Sequence, residues 1–147
     1  MNYLFDTNIL LLYLRGGAMV RRLENTLDLL IPQNKLLTSV VSIGEIKSIA
    51  LRNKWGKTKL QEIENVVQEF LVIDIHTEEI VDKYAEIDAF SQGKHPLKSL
   101  KTSARNMGKN DLWIAATAAT YDLTLLTTDR DFGHLAENFL KLQRVEI

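Results

Sequence analysis

The sequence predicts an α/β fold, with a central, mainly parallel sheet covered by helices on both faces. Two observations predict it. Short apolar runs that read as strands alternate with segments of helical spacing along the whole chain, the pattern of βα units. The chain also has 147 residues, 46% hydrophobic and 25% charged, enough for one ordinary domain with a real core. No internal repeat, low-complexity tract or linker interrupts it, so residues 1–147 are expected to form a single domain.

The elements follow in order. Residues 2–6 are an apolar run ending in an acid and read as a buried strand. Thr7 or Asn8 is expected to cap a helix over 9–15, which Gly16-Gly17 stops. Residues 19–31 carry apolar side chains at 20, 23, 27 and 30, and Pro32 ends that helix. A second strand is expected over 35–41, with a helix opening at Ser42 and running to about Asn53. Leu60, Ile63, Val67 and Phe70 give one face to a helix over 57–70, and 71–75 continues as a strand. Thr77 caps a helix whose first turn holds Glu78 and Glu79, suited to the helix dipole, and which runs to about Phe90. An alanine-rich helix covers 111–121, and a strand covers 123–126. A short helix or turn over 131–138 leads to a last short strand within 139–145.

Bulk properties exclude several function classes. There is no cysteine, so disulfides, thiolate metal sites and a cysteine nucleophile are absent. The N-terminus, MNYLFDTN, has no basic region and no cleavage site, and apolar runs such as 9–12 are far too short to span a bilayer. A cytoplasmic protein without a membrane role is expected. The net charge of −1 argues against a simple nucleic-acid coat. Its distribution is uneven, because two basic segments, 46–61 and 89–110, bracket an acidic one. These are either solvated helix faces or a surface for a polyanion.

Four acids stand where a strand ends or a helix begins: Asp6, Glu45, Asp111 and Asp129, with Asp131 close behind the last. In an open α/β sheet, ligands bind outside the carboxyl ends of the strands at the topological switch point. If strands 2–6 and 123–126 are neighbours there, all four acids reach one rim. Two bare carboxylates ~4 Å apart repel by about 4 kcal/mol at an effective dielectric of about 20. A hard divalent cation such as Mg²⁺ removes that repulsion and prefers oxygen ligands. Each acid also has a plainer role. Asp6 can cap a helix, Ser42-x-x-Glu45 matches a capping box, Asp111 complements a helix dipole, and Asp129 and Asp131 suit a turn. The joint pattern carries the functional reading.

Phe5-Asp6-Thr7-Asn8 followed by Ile9-Leu10 resembles the opening motif of PIN-domain ribonucleases. Ser39-Val-Val-Ser-Ile-Gly-Glu45 resembles their second motif, Asn110-Asp-Leu-Trp-Ile-Ala-Ala116 their third, and Leu126-Thr-Thr-Asp-Arg-Asp-Phe132 their fourth. Single-domain chains of this size most resemble the VapC-like toxins of toxin–antitoxin pairs. The resemblance implies a three-layer α/β/α fold with about five parallel strands. It also implies Mg²⁺- or Mn²⁺-dependent cleavage of RNA phosphodiesters (tRNA, rRNA or mRNA), a homodimer, and an antitoxin that blocks the site. Asp6, Glu45, Asp111 and Asp129 match the family's acidic positions, and Asp131 one that is often acidic. Thr127 matches its small hydroxyl before the last acids, and Asn8 its polar residue near the first.

The expected chemistry is metal-assisted hydrolysis. Asp6, Asp111 and Asp129 lead as metal ligands, Glu45 as a ligand or general base, and Asp131 as a holder of a second ion or of water. Thr127 and Asn8 would orient carboxylates. The approach to the third motif is longer and more basic than usual in the family. Lys94, Lys98, Lys101, Arg105 and Lys109 recur there at steps of three or four. A helix over 96–107 would gather most of them on one face to grip RNA phosphates; the competing reading is a solvated loop.

His76, His95 and His134 neighbour no acidic motif at metal-ligand spacing and read as exposed or capping residues. Trp55, among Lys54, Lys57 and Lys59, is placed to stack on a base, whereas Trp113 reads as core. The Leu-rich faces of 9–31 and 60–70 read as core, any leftover stripe being a candidate dimer or antitoxin interface. Two alternatives come from other classes. A haloacid-dehalogenase-like phosphatase would need a second Asp where this chain has Asn8. A non-catalytic PIN-like module binding RNA or protein would keep the acids as a scaffold.

Overall fold

A computed structural model describes residues 1–146. Five strands form one sheet in the order β3-β2-β1-β4-β5, and every neighbouring pair is parallel. The strands are β1 (Asn2–Phe5), β2 (Lys35–Ser39), β3 (Leu71–Ile73), β4 (Thr124–Thr127) and β5 (Lys141–Arg144). The helices are α1 (Thr7–Arg15), α2 (Ala18–Thr26), α3 (Val40–Arg52), α4 (Lys57–Val67), α5 (Glu78–Ser91) and α6 (Lys109–Thr120). The chain winds outward from β1 through β2 to β3, then crosses back to β4 and β5 on the other side. The switch point thus lies between β1 and β4, as a parallel α/β sheet requires.

Strand alternation creates the three layers. In β1, Tyr3 and Phe5 point to one face and Leu4 to the other; in β4, Leu126 and Leu125 divide likewise. The first face packs on Ile9, Leu10 and Tyr13 of α1, Ile46 and Ala50 of α3, and Ile63 of α4. The second packs on Ile80, Ile87 and Phe90 of α5 and on Leu112, Ile114, Ala115 and Ala118 of α6. Small side chains on α6 bring it close to the sheet, which fixes the height of its first turn against the strand ends. On the first face an aromatic triad locks α1 to β1. The Phe5 ring meets Tyr13 at 5.3 Å and Phe70 at 4.9 Å between centroids, both edge to face.

The structure revises three local expectations and decides between the two readings of 96–107. Asp6, not Thr7 or Asn8, is the N-cap of α1. The second strand stops at Ser39, whose hydroxyl accepts from the Val41 amide at 3.1 Å and caps α3. α3 therefore starts before Ser42, and no capping box forms. α2 ends at Thr26, because a turn brings Leu29 rather than Leu30 into the core. Finally, 96–107 contains no helix. The His95 ring accepts from the backbone amides of Leu97 and Lys98 at 3.1 and 3.0 Å, which draws the chain around His95 in a tight turn. The Arg105 amide then donates to Ser91 O at 2.8 Å, folding the segment back onto the end of α5. Glycine is needed between α1 and α2, where Gly16 and Gly17 take φ of 64° and 87°.

Truncating the triad tests this packing. Phe5→Ala is expected to cost roughly 3–5 kcal/mol, the usual range for a buried Phe. The change should appear as a lower urea midpoint with an unchanged slope of stability against denaturant.

Candidate functional site

Asp6 occupies the first position after β1, at the switch point, and only 4% of its surface is exposed. Its amide continues the sheet by donating to Leu126 O at 3.1 Å. Its carboxylate is held on both sides. Oδ1 accepts from the Ile9 amide at 3.0 Å, and Oδ2 accepts from the Thr127 hydroxyl at the end of β4. Thr127 in turn accepts from the Asp129 amide at 2.9 Å, and Asp129 Oδ1 accepts from the Asp131 amide at 2.9 Å. One hydrogen-bonded chain thus runs from α1 across the sheet to the loop after β4. It fixes three of the five acids by local backbone geometry.

Glu45 reaches the same edge from α3. The Thr7 hydroxyl donates to its Oε1 at 2.7 Å and stands 3.0 Å from the Ser42 hydroxyl. A hydroxyl has one proton to give, so Ser42 donates back to Thr7 while Thr7 serves the carboxylate. Ser42 and Glu45 lie three residues apart on one helix face, directly beside the residue following Asp6. Thr7 and Ser42 are positioning residues that the sequence reading missed. The signal was the same i, i+3 pair that suggested a capping box. Asn8 contributes its backbone amide to Asp6, while its side chain is exposed and makes no hydrogen bond among the described residues.

Asp111 stands in the first turn of α6 and completes the cluster. Among the described residues its carboxylate takes no hydrogen bond from the protein. Burial, then the charges of Asp129, Glu45, Asp6 and Asp131, push its pKa up to about 6. Asp6 is also pushed up to about 6, chiefly by burial and further by Asp129, against the opposing pull of Thr127 and the Ile9 amide. All five acids therefore share one electrostatic field. They are hard oxygen donors with repulsion to relieve, which fits Mg²⁺ or Mn²⁺. Among the described residues no three His, Asp or Glu side chains already converge into a ready ligand set.

The basic residues are not equivalent. Arg105 borders a cleft of about 300 Å³ together with Asp111 and Asp131. Lys98 instead lies over the Phe139 ring, 4.2 Å from its centroid, and points Nζ toward Asn138 O at 3.4 Å. Lys101 is exposed, and Lys109 is the exposed first residue of α6. With no helix present, these charges do not form the single face considered above.

His76 is exposed, as expected. His95 caps a turn but is also buried, and its Nε2 lies 3.3 Å from Glu86. His134 lies inside, its Nε2 2.7 Å from the Ser91 hydroxyl and its ring stacked on Phe90. Burial and nearby Arg105 hold its pKa low. Trp55 carries Lys59 Nζ 4.1 Å from its ring centroid, and Trp113 packs on Tyr84 at 4.3 Å.

Comparison with known proteins agrees with this fold. A family model described as PIN domain matches residues 3–138. Ribonuclease VapC1 of Haemophilus influenzae (strain R2866) is 27% identical over 128 residues, covering 86% of each chain. A structure of VapBC2 from Rickettsia felis bound to a promoter DNA fragment superposes with a TM-score of 0.77 at 21% identity, covering 99% of this chain and 100% of that one. VapBC-1 from nontypeable Haemophilus influenzae superposes with a TM-score of 0.76 at 23% identity, covering 98% of both chains.

Two outcomes test the site. Thr127→Val leaves the Asp6 carboxylate without its buried donor, so stability should fall by roughly 1–3 kcal/mol. The Asp6 pKa should then rise further above about 6, read by carboxyl NMR titration. For Asp111 the folded-state pKa exceeds the unfolded one. Its ionisation therefore erodes stability as pH rises from about 4 through about 6, and the full burden remains above that window. Metal-free Asp111→Asn should be more stable than the parent at pH 7.5. That advantage should vanish below pH 4 in thermal melts.

Proposed function

The chain belongs to the PIN-domain family, and on that premise we propose that it is a divalent-metal-dependent endoribonuclease, the toxin of a toxin–antitoxin pair. The observation that carries this reading is the gathering of five acids at the β1–β4 switch point, two of them pushed to pKa values of about 6. Among the described residues no helix is long and apolar enough to cross a membrane.

Asp6, Asp111 and Asp129 would hold Mg²⁺, or Mn²⁺ in its place, helped by Asp131. A cation held by them would supply charge neutralisation at the scissile phosphate and a more acidic water. Glu45 is held by Thr7 with its second oxygen free of protein bonds among the described residues. It takes the proton from the attacking water, which adds to phosphorus as the P–O bond to the leaving nucleotide breaks. Thr127 keeps Asp6 from rotating away. Arg105 faces the RNA phosphates from the cleft beside Asp111, with Lys101 and Lys109 adding long-range attraction. Lys98, engaged with Phe139, contributes least of the four.

The relatives named for ribonuclease activity and for toxin–antitoxin complexes support an antitoxin partner that covers this edge. We place the contact surface of a homodimer or of that antitoxin on exposed apolar residues such as Leu51 and Leu60, which the core leaves over.

Incubation with total tRNA, rRNA and mRNA plus Mg²⁺ should yield discrete cleavage products. EDTA should abolish them, and Asp111→Asn and Asp129→Asn should lower the rate by 100-fold or more while remaining folded. Intact RNA, or undiminished cutting by both variants, overturns the reading. Mn²⁺ affinity, measured by calorimetry, should fall as pH drops below about 6, by about 10-fold per pH unit for each of Asp6 and Asp111, because these two must lose their protons first.

A further inference from the structure

A groove of about 480 Å³ opens between α3 and α6, and its inner end is Glu45. Positions 41, 45, 48, 49 and 52 of α3 line it, one stripe of a helix. Val41, Ile49 and Ile75 supply apolar wall, while Ser48 and Asn110 supply hydrogen-bonding groups. Trp113 lines it from α6, its ring steadied by Tyr84 at 4.3 Å. Arg52 stands at the outer end, two helical turns or about 10 Å along the axis from Glu45. That leaves room for one nucleotide between the acids and a neighbouring phosphate.

Gly44 supplies an independent observation. It sits inside α3 and borders this groove, where glycine weakens a helix relative to alanine. Its conformation does not require glycine, since its φ is not positive. A Cβ added there meets nothing within 4 Å, so no neighbour in the chain needs the space either. A Cβ at 44 would therefore project into the groove and not into the protein, so the side chain at this position sets how much of the groove stays open. A flat, partly apolar group with hydrogen-bonding edges fits a wall of Trp, Ile and Val set with Ser and Asn.

We infer that this groove is a nucleobase subsite, which takes the base of the nucleotide adjoining the scissile phosphate of single-stranded RNA while Arg52 meets the next phosphate. The inference rests on the nuclease reading and adds where the substrate lies and which side chains can select it.

The test combines Gly44→Ala and Gly44→Leu with oligoribonucleotides carrying one abasic position on either side of the cut. A Cβ at 44 meets open space, so the longer Leu side chain is directed into the groove, with an unchanged thermal melt as the check that the fold is kept. Gly44→Leu should lower kcat/KM on intact RNA by roughly 10- to 100-fold, the range of one lost base contact, and Gly44→Ala by far less. An abasic position on one side of the cut should cost the parent a similar factor. The two losses should not add, because each removes the same contact. Mn²⁺ affinity should be unchanged in both variants.

Additive losses, or parent-like cutting by Gly44→Leu, overturn the subsite while leaving the nuclease reading intact. Loss of antitoxin binding with RNA cleavage untouched also overturns it and assigns the groove to a protein arm. If the parent cuts no RNA, the nuclease reading falls. Anisotropy of labelled oligoribonucleotides then decides the groove, which falls too if neither Gly44→Leu nor the abasic position changes binding.

Discussion

The hydrogen bond from Thr127 to Asp6 joins the two halves of this fold where they diverge. β1 and β4 are the central strands, and the chain leaves them in opposite directions. A crevice at that point is unavoidable in a parallel sheet, and without a tie the two lips would be free to part. The Thr127 hydroxyl supplies the tie from the last residue of β4 to the first residue beyond β1. The same oxygen receives the Asp129 amide, so the loop carrying Asp129 and Asp131 takes its course from this one side chain. Deep burial of Asp6 is tolerable because both of its oxygens are engaged.

Around that joint the side chains divide into holders and held. Thr7, backed by Ser42, binds Glu45, as Thr127 and the Ile9 amide bind Asp6. Asp111 is the exception, set by the packing of α6 alone. Its position follows from the small residues Ala115 and Ala118, which let α6 lie close over the sheet. The first turn of that helix therefore reaches the rim, carrying a carboxylate whose pKa is raised by burial and by four neighbouring acids. The raised pKa values are the cost of assembling five acids in a half-dry crevice, and a cation removes that cost.

The strand–helix alternation was legible because the strands are short, β1, β2, β3 and β4 carry adjacent apolar residues that face both sides of the sheet, and polar turns bound them. The acids were legible for a related reason: strand ends and first helical turns are marked by capping residues, and those marks lie at the crevice edge. Three features escaped. Helix α3 begins at Val40 because a serine at 39 caps as well as one at 42, and local sequence does not choose between them. The positioning roles of Thr7 and Ser42 depend on α1 and α3 meeting in space, which spacing within either helix does not reveal. The segment 92–108 has helical periodicity in its charges but folds around His95 and Ser91 instead. Two backbone amides on the His95 ring and one on the Ser91 carbonyl outweigh a weak helical preference.

The carboxylates also differ in what their loss would do to the molecule as a whole. Asp6 ends a strand, caps a helix and anchors Thr127, so a change there strikes architecture and chemistry together. Asp111 has no protein partner to abandon among the described residues. On the proposed function, a replacement at Asp111 would leave a folded, silent copy whose outer surfaces are those of the active one. Such a copy competes for every partner that recognises those surfaces. Evolutionary decay of the activity therefore has an easy route through α6 and a hard one through β1, and inactive descendants would keep Asp6 longer than Asp111.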